Sequence, residues 1–556
     1  MLTGQNGILN RAGEASEKTR KETAREQIQL EVIGTYDVTG NIDVATLKTN
    51  LETNLGADAT GVGITLPTGK ISLNGYDFMI DSNGNVLDYE KILQADGSWN
   101  AEKEVNSPKL SDGMTAVYWD NSGNEVKYYN EDGTKNENFD VDAWYDYIPA
   151  DDSKAGTTAG DTKTSYWANA ITEDGSYWVW IPRFAYKITS TTTDYTTAGT
   201  IDVVFLQNTT NNCIDENITP VMPTSSSDTT STYVVHPAFC GTGYEDLGGG
   251  FGTDENGISG FWVAKYEMSM EGSADNGNTW STLVPTRISS TTAISGNVAT
   301  TNMITEYNNE NNASLTTSVT DGTTTYSNIR AVSKANVSSW RYINISNCYE
   351  NAYYYDRTKD SHLMKNSEWG AVAYLTHSKY GRNGNEITIN EDSTYTSASK
   401  GVNTSTTGNI YGIYDLSGSA YEYVAGFNDK CSNSETYYSK TSSSYSSATG
   451  NNMGATGLAN SGSTKYLTAY SNSSSLASGS TVSTICKIGD AIKDVWVSSY
   501  YGWFSDFSVF VGSGSPFFMR GGSCNNSSNA GIFCSYCVSG NTSDSSSPSF
   551  RVVFPV

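Results

Sequence analysis

RGGSCNNSSNAGIFCSYCVSGNTSDSSSPSFRVVF (520–554) joins two compact ends, rich in arginine, glycine and aromatic residues, through a run of serine, asparagine and glycine. It holds Cys524, Cys534 and Cys537, three of the chain's eight cysteines. Cys534-Ser-Tyr-Cys537 has the form C-x-x-C. It lacks the second pair that a zinc site requires and the strand-to-helix setting of a redox motif. Cys213, Cys240, Cys348, Cys431 and Cys486 are scattered without paired spacing, and their pairing is open. The three histidines, His236, His362 and His377, are too few for a multi-histidine metal cage.

Working outward, 556 residues can bury two or three cores at roughly 100–200 residues per domain. Only 17% of the residues are charged, yet the net charge is -26 and the sequence pI about 4.4, which argues against a nucleic-acid partner. The 37 tyrosines lie among Ser, Thr, Asn and Gly filler. Binding surfaces favour that mixture, because tyrosine is a rigid amphipathic contact and the small residues adapt. It predicts an extracellular or cell-surface protein. No run of 18 apolar residues occurs, and no signal peptide is evident.

The stretch LTGQNGILNRAGEASEKTRKETAREQIQLEVIGTY (2–36) predicts one long solvated helix. Arg11 to Glu31 carries five basic and five acidic residues, with Glu14/Lys18 and Glu17/Lys21 at i,i+4. It resembles the segment after the hydrophobic N-terminal helix of type IV pilin-like proteins of Gram-positive bacteria. The resemblance implies a bacterial source and a membrane anchor absent from this chain. DVATLKTNLETNLG (43–56) predicts a short helix, and LPTGKISLNGYDFMIDSNGNVLDYE (66–90) a small antiparallel sheet with Asn-Gly turns. Residues 1–95 therefore read as a pilin-like helix and sheet, with a coiled-coil stalk as the alternative. Residues 96–165 read as a turn-rich β connector, with a hairpin at YWDNSGNEVKYYNEDGTKN (118–136).

Beyond it, DGSYWVWIPRFAYKITS (174–190) and GISGFWVAKYEMS (257–269) predict buried strands with core tryptophans. VSKANVSSWRYINISNCYENAYYY (332–355) and DSHLMKNSEWGAVAYLTHSKYG (360–381) predict the main helices, the second capped by Asn366 or Ser367. Low-complexity Ser/Thr/Asn/Gly tracts at about 392–480 predict surface insertions.

GFWVAKYEMS (260–269), SHLMKNSEWGAVAYL (361–375), GNIYGIYDLSGSAYEYVAGF (408–427), FFMRGGS (517–523) and SFRVVF (549–554) follow one another in order. Together they resemble the formylglycine-generating enzyme-like branch of the C-type lectin fold. The whole expectation is an α+β chain: a pilin-like long helix plus small antiparallel sheet, then a C-type lectin-like domain over 166–556 with large loop insertions. The family's copper-dependent oxidase uses two cysteines five residues apart after R-G-G-S. Asn526 and Gly531 stand there in this chain, so copper chemistry is not expected and the chain is not expected to be an enzyme. The family's calcium motif is altered to Gly418-Ser419-Ala420-Tyr421-Glu422-Tyr423. That leaves either a structural calcium ion or a Glu422 that hydrogen-bonds the fold's loops.

The terminal loop resembles more closely the variable region of proteins diversified by retroelements, which display mutable residues on this fold. That resemblance implies ligand contact by Trp503, Phe504, Cys524, Ser527, Cys534, Tyr536, Ser539, Asn541, Ser543, Asp544, Ser545 and Ser547, all pointing to solvent on one face. Arg520, Gly521, Gly522, Ser523, Asn529, Gly531, Phe550 and Arg551 would form the frame. No cofactor is expected. The implied partner is a protein or glycan on another cell, phage or host surface, with other pilin-like subunits as further partners. The alternatives are an oxidase of the formylglycine-generating type and a structural minor pilin.

Overall fold

The computed structural model describes residues 23–88, 106–149, 165–272, 318–430, 463–474, 482–538 and 548–556, with short breaks inside these spans. The chain divides into two compact units, Met1–Glu102 and Lys103–Val556.

In the first unit, helix α1 (23–33) buries Ala24, Ile28 and Val32, one position per turn. Helix α2 (Val44–Asn54) starts at Asp43, whose carboxylate accepts the Thr46 N–H at 3.1 Å, and buries Val44, Leu47 and Leu51. Strands β1 (Ile71–Leu73), β2 (Tyr76–Ile80) and β3 (Val86–Asp88) form an antiparallel sheet that shares this core. The left-handed pair Asn74-Gly75, φ 56° and 85°, makes the β1–β2 turn.

The second unit begins within the expected connector. Strands β4 (Met114–Trp119) and β5 (Glu125–Lys127) form a hairpin whose turn is fixed by Asp120, a carboxylate oxygen accepting the Ser122 and Asn124 N–H groups, each at 2.8 Å. After the short helix α3 (Val141–Trp144) come β6 (Asn169–Thr172), β7 (Tyr177–Pro182), β8 (Phe184–Ser190), β9 (Thr200–Phe205), β10 (Val234–Val235) and β11 (Gly260–Ala264). Next are β12 (Met268–Gly272), β13 (Ser318–Asp321), β14 (Thr324–Ser327), β15 (Ile329–Ser333), helix α4 (Ile345–Tyr353), β16 (His362–Leu363) and helix α5 (Asn366–His377). The remainder holds β17 (Tyr421–Asn428), β18 (Thr468–Tyr470), helix α6 (Val482–Ile485), β19 (Phe517–Gly521), β20 (Gly531–Val538), β21 (Pro548–Phe550) and β22 (Val552–Pro555).

A seven-stranded sheet runs β16-β22-β11-β7-β6-β4-β5. Trp262 of β11 pairs with Phe554 of β22 on one side and Trp180 of β7 on the other, so the last strand of the chain lies one strand away from β7. The tryptophans of the two expected strands are fully buried, because a strand covered on both faces needs volume at every position. A second sheet runs β18-β17-β19-β20, with β21 parallel to β17. Helix α5 is buried along its whole length and donates from Trp369 Nε1 to the Ile532 carbonyl of β20 at 2.7 Å.

The architecture corrects the expected fold class. Six sheets dominate the described residues, and the described helices are short, α5 being twelve residues, so the chain is mostly sheet rather than a long N-terminal helix plus a small sheet. Of the proposed long helix, residues 20 and 23–33 are described as helical, and residues 1–19, 21 and 22 lie outside the described residues. Within 332–355 the helix is confined to α4, since Ile329–Ser333 is drawn into a strand against β12. The cap of α5 is Lys365, whose N–H donates to Glu368 at 2.8 Å, one position before the expected cap. The tract at about 392–480 is not simply an insertion. It supplies β17, β18 and buried Asp415, while 431–462 and 475–481 lie outside the described residues.

Candidate functional site

The C-terminal loop is carried by β19 and β20, and two buried arginines hold its base. Arg520 donates from Nε to the Cys534 carbonyl (2.7 Å), from Nη1 to Asn366 Oδ1 (3.1 Å) and the Asp490 carbonyl (2.8 Å), and from Nη2 to the Ala491 carbonyl (3.0 Å). It thereby ties β19, β20, α5 and the 490–491 turn together. Arg551 Nε donates to Glu422 Oε1 at 2.9 Å and lies 2.8 Å from its Oε2 as an ion pair, while Nη1 donates to the Ala264 carbonyl at 3.0 Å. It links the two sheets. Glu267 and Asp415 lie near this pair. Glu267 accepts from Ser419 Oγ and the Ala420 N–H, each at 3.0 Å, and Asp415 accepts from Asn390 Nδ2 at 3.1 Å. Burial pushes the Glu267 and Asp415 carboxyls up, and the neighbouring Glu422 raises Glu267 further.

Gly521 and Gly522, φ 82° and 73°, turn the chain off β19. Asn526 Oδ1 then accepts from the Ser523 N–H at 2.6 Å and from its hydroxyl at 2.8 Å. The return strand starts at Gly531 because nothing larger fits: a Cβ there would sit 1.9 Å from Asp506 Oδ1. Asp506 in turn accepts the Phe533 N–H at 2.8 Å. Asn526 and Gly531, the positions of the oxidase's cysteine pair, are thus a turn-closing side chain and a close-packed glycine.

The segment before β19 is stitched along the β20 edge. The Val509 N–H donates to the Ser535 carbonyl at 2.8 Å, and the Ser535 N–H to the Phe507 carbonyl at 3.1 Å. This sets Phe507 beside Tyr536 and starts a chain of rings. Tyr421 lies 5.6 Å from Tyr536, Tyr536 6.0 Å from Phe507, and Phe507 stacks on Tyr500 at 6.2 Å and 8°. Phe507 also meets Tyr501 at 6.1 Å, and Tyr501 stacks on Tyr195 at 4.7 Å and 16°. Tyr500, Tyr195 and Tyr536 are 47%, 39% and 37% exposed, so the stripe reaches solvent along its length. Its far end rests on strained backbone: Phe504 and Ser505 both take left-handed φ, 61° and 69°, and their N–H groups donate to the Thr197 and Tyr195 carbonyls at 3.1 and 2.6 Å.

The structure sorts the twelve expected contact residues. Tyr536 and Ser527 are exposed, and Phe504 is half-buried against Phe533. Three assignments are corrected. Trp503 is 1% exposed, packed between His377 (5.1 Å) and Phe533 (5.5 Å). Cys524 is buried with Tyr395 and Ala420. Cys534 is buried under Arg520, and burial pushes both of these thiols up, away from the reactive thiolate. Ser539, Asn541, Ser543, Asp544, Ser545 and Ser547 lie outside the described residues.

Among the frame residues, Arg520, Gly521, Gly522, Ser523, Gly531, Phe550 and Arg551 are buried, while Asn529 is exposed and contributes its carbonyl to the Phe507 N–H at 3.0 Å. Of the altered calcium motif, Glu422 faces Arg551 and Ser419 faces Glu267. Among the described residues no group of three or more His, Cys, Asp or Glu side chains is arranged to hold a metal ion. The seven described cysteines are buried free thiols. The sequence reading missed Tyr195, Tyr421, Tyr500, Tyr501 and Phe507. For Tyr500, Tyr501 and Phe507 the sequence holds a signal in the aromatic density of SSYYGWFSDFSVF (498–510), whereas Tyr195 and Tyr421 carry none.

No protein-family model matches the chain, and no curated protein matches it in sequence. Among the described residues no helix is long and apolar enough to cross a membrane.

Proposed function

We propose that this chain is a non-enzymatic, cell-surface binding protein whose C-terminal loop carries contact residues diversified by a retroelement. The exposed aromatic stripe centred on Tyr536 carries this reading. It adjoins the Ser/Asn loop at 525–529 and stands on a base held by Arg520 and Arg551, a rigid support beneath changeable contacts. Tyrosine rings supply contact area at low entropic cost, and the small polar residues beside them adapt their hydrogen bonds to a protein or glycan partner. The contact set in this reading is Ser527, Phe504 and Tyr536 with Tyr195, Tyr421, Tyr500, Tyr501 and Phe507. Trp503, Cys524 and Cys534 move to the frame. The burial of Cys524, Cys534 and Cys537 supports binding over thiol oxidation, because a copper-thiolate or redox role needs accessible thiolates.

Two measurements test this. Sequencing of the flanking DNA is expected to find a reverse transcriptase gene and a template repeat matching the segment that encodes 520–554, with differences confined to adenines and sparing Arg520, Gly531 and Arg551. A locus without such a repeat overturns the diversification. On arrays of immobilised glycans and of surface proteins, Tyr536→Ala is expected to weaken capture by roughly 10–30-fold, the size of an interface hot spot of about 2 kcal/mol. Unchanged capture by that variant overturns the stripe as the contact surface.

A further inference from the structure

Lys265 follows β11 directly, and its side chain is fully buried on the seven-stranded sheet. Its backbone N–H donates to the Tyr177 carbonyl of β7 at 2.9 Å, so it continues the strand. The register puts it on the same face as Asn169 of β6, because Val179 of β7 lies opposite both Asn169 and Val263, two residues before Lys265. On that face Lys265 Nζ reaches across β7 and donates to Asn169 Oδ1 at 2.6 Å, and also to the Ile410 carbonyl. Asn169 is fully buried too. Its carboxamide is held in place by Nδ2, which donates to the Trp167 and Tyr411 carbonyls, each at 2.8 Å. Aromatic rings enclose the amine, with the Trp119 centroid 4.6 Å and the Tyr414 centroid 5.6 Å from Nζ. Glu125 of β5 lies opposite Trp119 in register, and its carboxylate accepts the Tyr177 hydroxyl.

Burial pushes the Lys265 ammonium well below the usual lysine range, against the pull of the Glu125 charge. The amine is thereby held neutral, and a desolvated neutral lysine is a nucleophile. Lys365, the other fully buried lysine among the described residues, is placed differently. It donates to the Gly249 and Lys465 carbonyls, each at 2.9 Å, with the charges of Glu368, Glu245 and Asp360 acting on it and no carboxamide among its acceptors. We propose that Lys265 and Asn169 join in an intramolecular isopeptide bond, a covalent tie from β6 to the end of β11 across β7. Nζ attacks the Cγ of Asn169, the carbon bonded to the oxygen that Nζ already contacts. The Nζ–Cγ bond forms and the Cγ–Nδ2 bond breaks. Glu125 takes a proton from Nζ and returns it to Nδ2, which leaves as ammonia. An amine and an amide become a new amide and ammonia, so the step consumes no oxidant, reductant or co-reactant.

Intact-mass spectrometry of the purified full chain, unfolded in denaturant, tests this. The expected mass is that of the sequence less one ammonia, and proteolysis is expected to release a branched peptide joining the segments around Asn169 and Lys265. Lys265→Met and Asn169→Ala are each expected to keep the full mass of their own sequence and to yield no branched peptide. Glu125→Gln leaves both partners in place. With its circular dichroism that of the parent, it is expected to form the branched peptide roughly 100-fold more slowly, the low end of what a positioned proton carrier contributes. A parent chain at its full sequence mass would overturn the proposal, and this outcome does not depend on whether any variant folds. An ammonia loss that maps to an Asn-Gly pair, with Lys265 unmodified, would overturn it equally. Formation at the parental rate in Glu125→Gln would remove Glu125 from the step.

Discussion

Arg551 is the residue on which both sheets depend, because among the described residues its guanidinium is the cation paired with buried Glu422, close to buried Glu267 and Asp415. Removing one member of a buried pair leaves the other charge without compensation. Arg551→Met is therefore expected to destabilise the second unit by about 3–5 kcal/mol, read as the shift in a urea unfolding curve. Gly531→Ala tests a different cause, steric rather than electrostatic. The new Cβ has no room beside Asp506, and a loss of about 1–3 kcal/mol is expected on the same measurement. Both residues were legible as frame in the sequence only through the resemblance, which placed Arg551 in F-R and Gly531 after Asn529-Ala530. Cys524 and Cys534 were not legible. A cysteine in a Ser/Asn-rich loop reads as a loop residue until the strand shows which way it points.

At the scale of elements, β20 decides what the loop presents. Its residues from Gly531 to Ser535 are all buried, the edge being covered by the 500–509 segment, and Tyr536 is the first to emerge. Alternation of apolar and polar positions could not reveal this, because a strand covered on both faces does not alternate. The same covering segment places Trp503 inside and Phe507 beside Tyr536. Trp503→Ala is expected to cost about 3–5 kcal/mol of stability, as a large core side chain does, whereas Tyr536→Ala is expected to stay within about 0.5 kcal/mol. Thermal unfolding of the two variants separates them. Equal losses would mean that the stripe is core and not surface.

At the scale of the whole molecule, buried acids whose carboxyls are pushed up contribute a pH dependence of stability opposite to common acid denaturation, against the carboxyls that hydrogen bonds hold low, such as Asp228, Asp360 and Glu368. Glu386 is pushed by burial from 4.5 to about 7, and Asp490 from 3.8 to about 6. The folded chain therefore holds these protons over a range where the unfolded chain has released them. The stability they contribute is present below the unfolded values and is lost as pH rises through the folded ones. Buried His236, lowered by burial to about 3, works in the opposite sense, so a difference between variants is the clean readout. Glu386→Gln stays neutral at every pH. It is expected to gain stability relative to the parent as pH rises from about 4.5 through about 7, measured by urea titration at a series of pH values. A parent-to-variant difference that is flat across that range would refute the raised carboxyl.

The sequence alone determined the net charge, the buried tryptophan strands, the Asn-Gly turns and the hairpin at 118–136, and through resemblance the arginine-glycine frame. Each rests on a residue whose chemistry constrains it locally: a backbone needing left-handed φ, a side chain too large to leave in water, a guanidinium that must find acceptors. Tertiary structure alone decided the balance of sheet over helix, the burial of Trp503, Cys524 and Cys534, and the aromatic stripe. Those depend on which segments, separated by up to hundreds of residues, cover which edges, and neither composition nor periodicity records that. Tyr195 and Tyr501 became neighbours because the Phe504-Ser505 backbone bonds to residues 195 and 197, a contact between positions about three hundred residues apart.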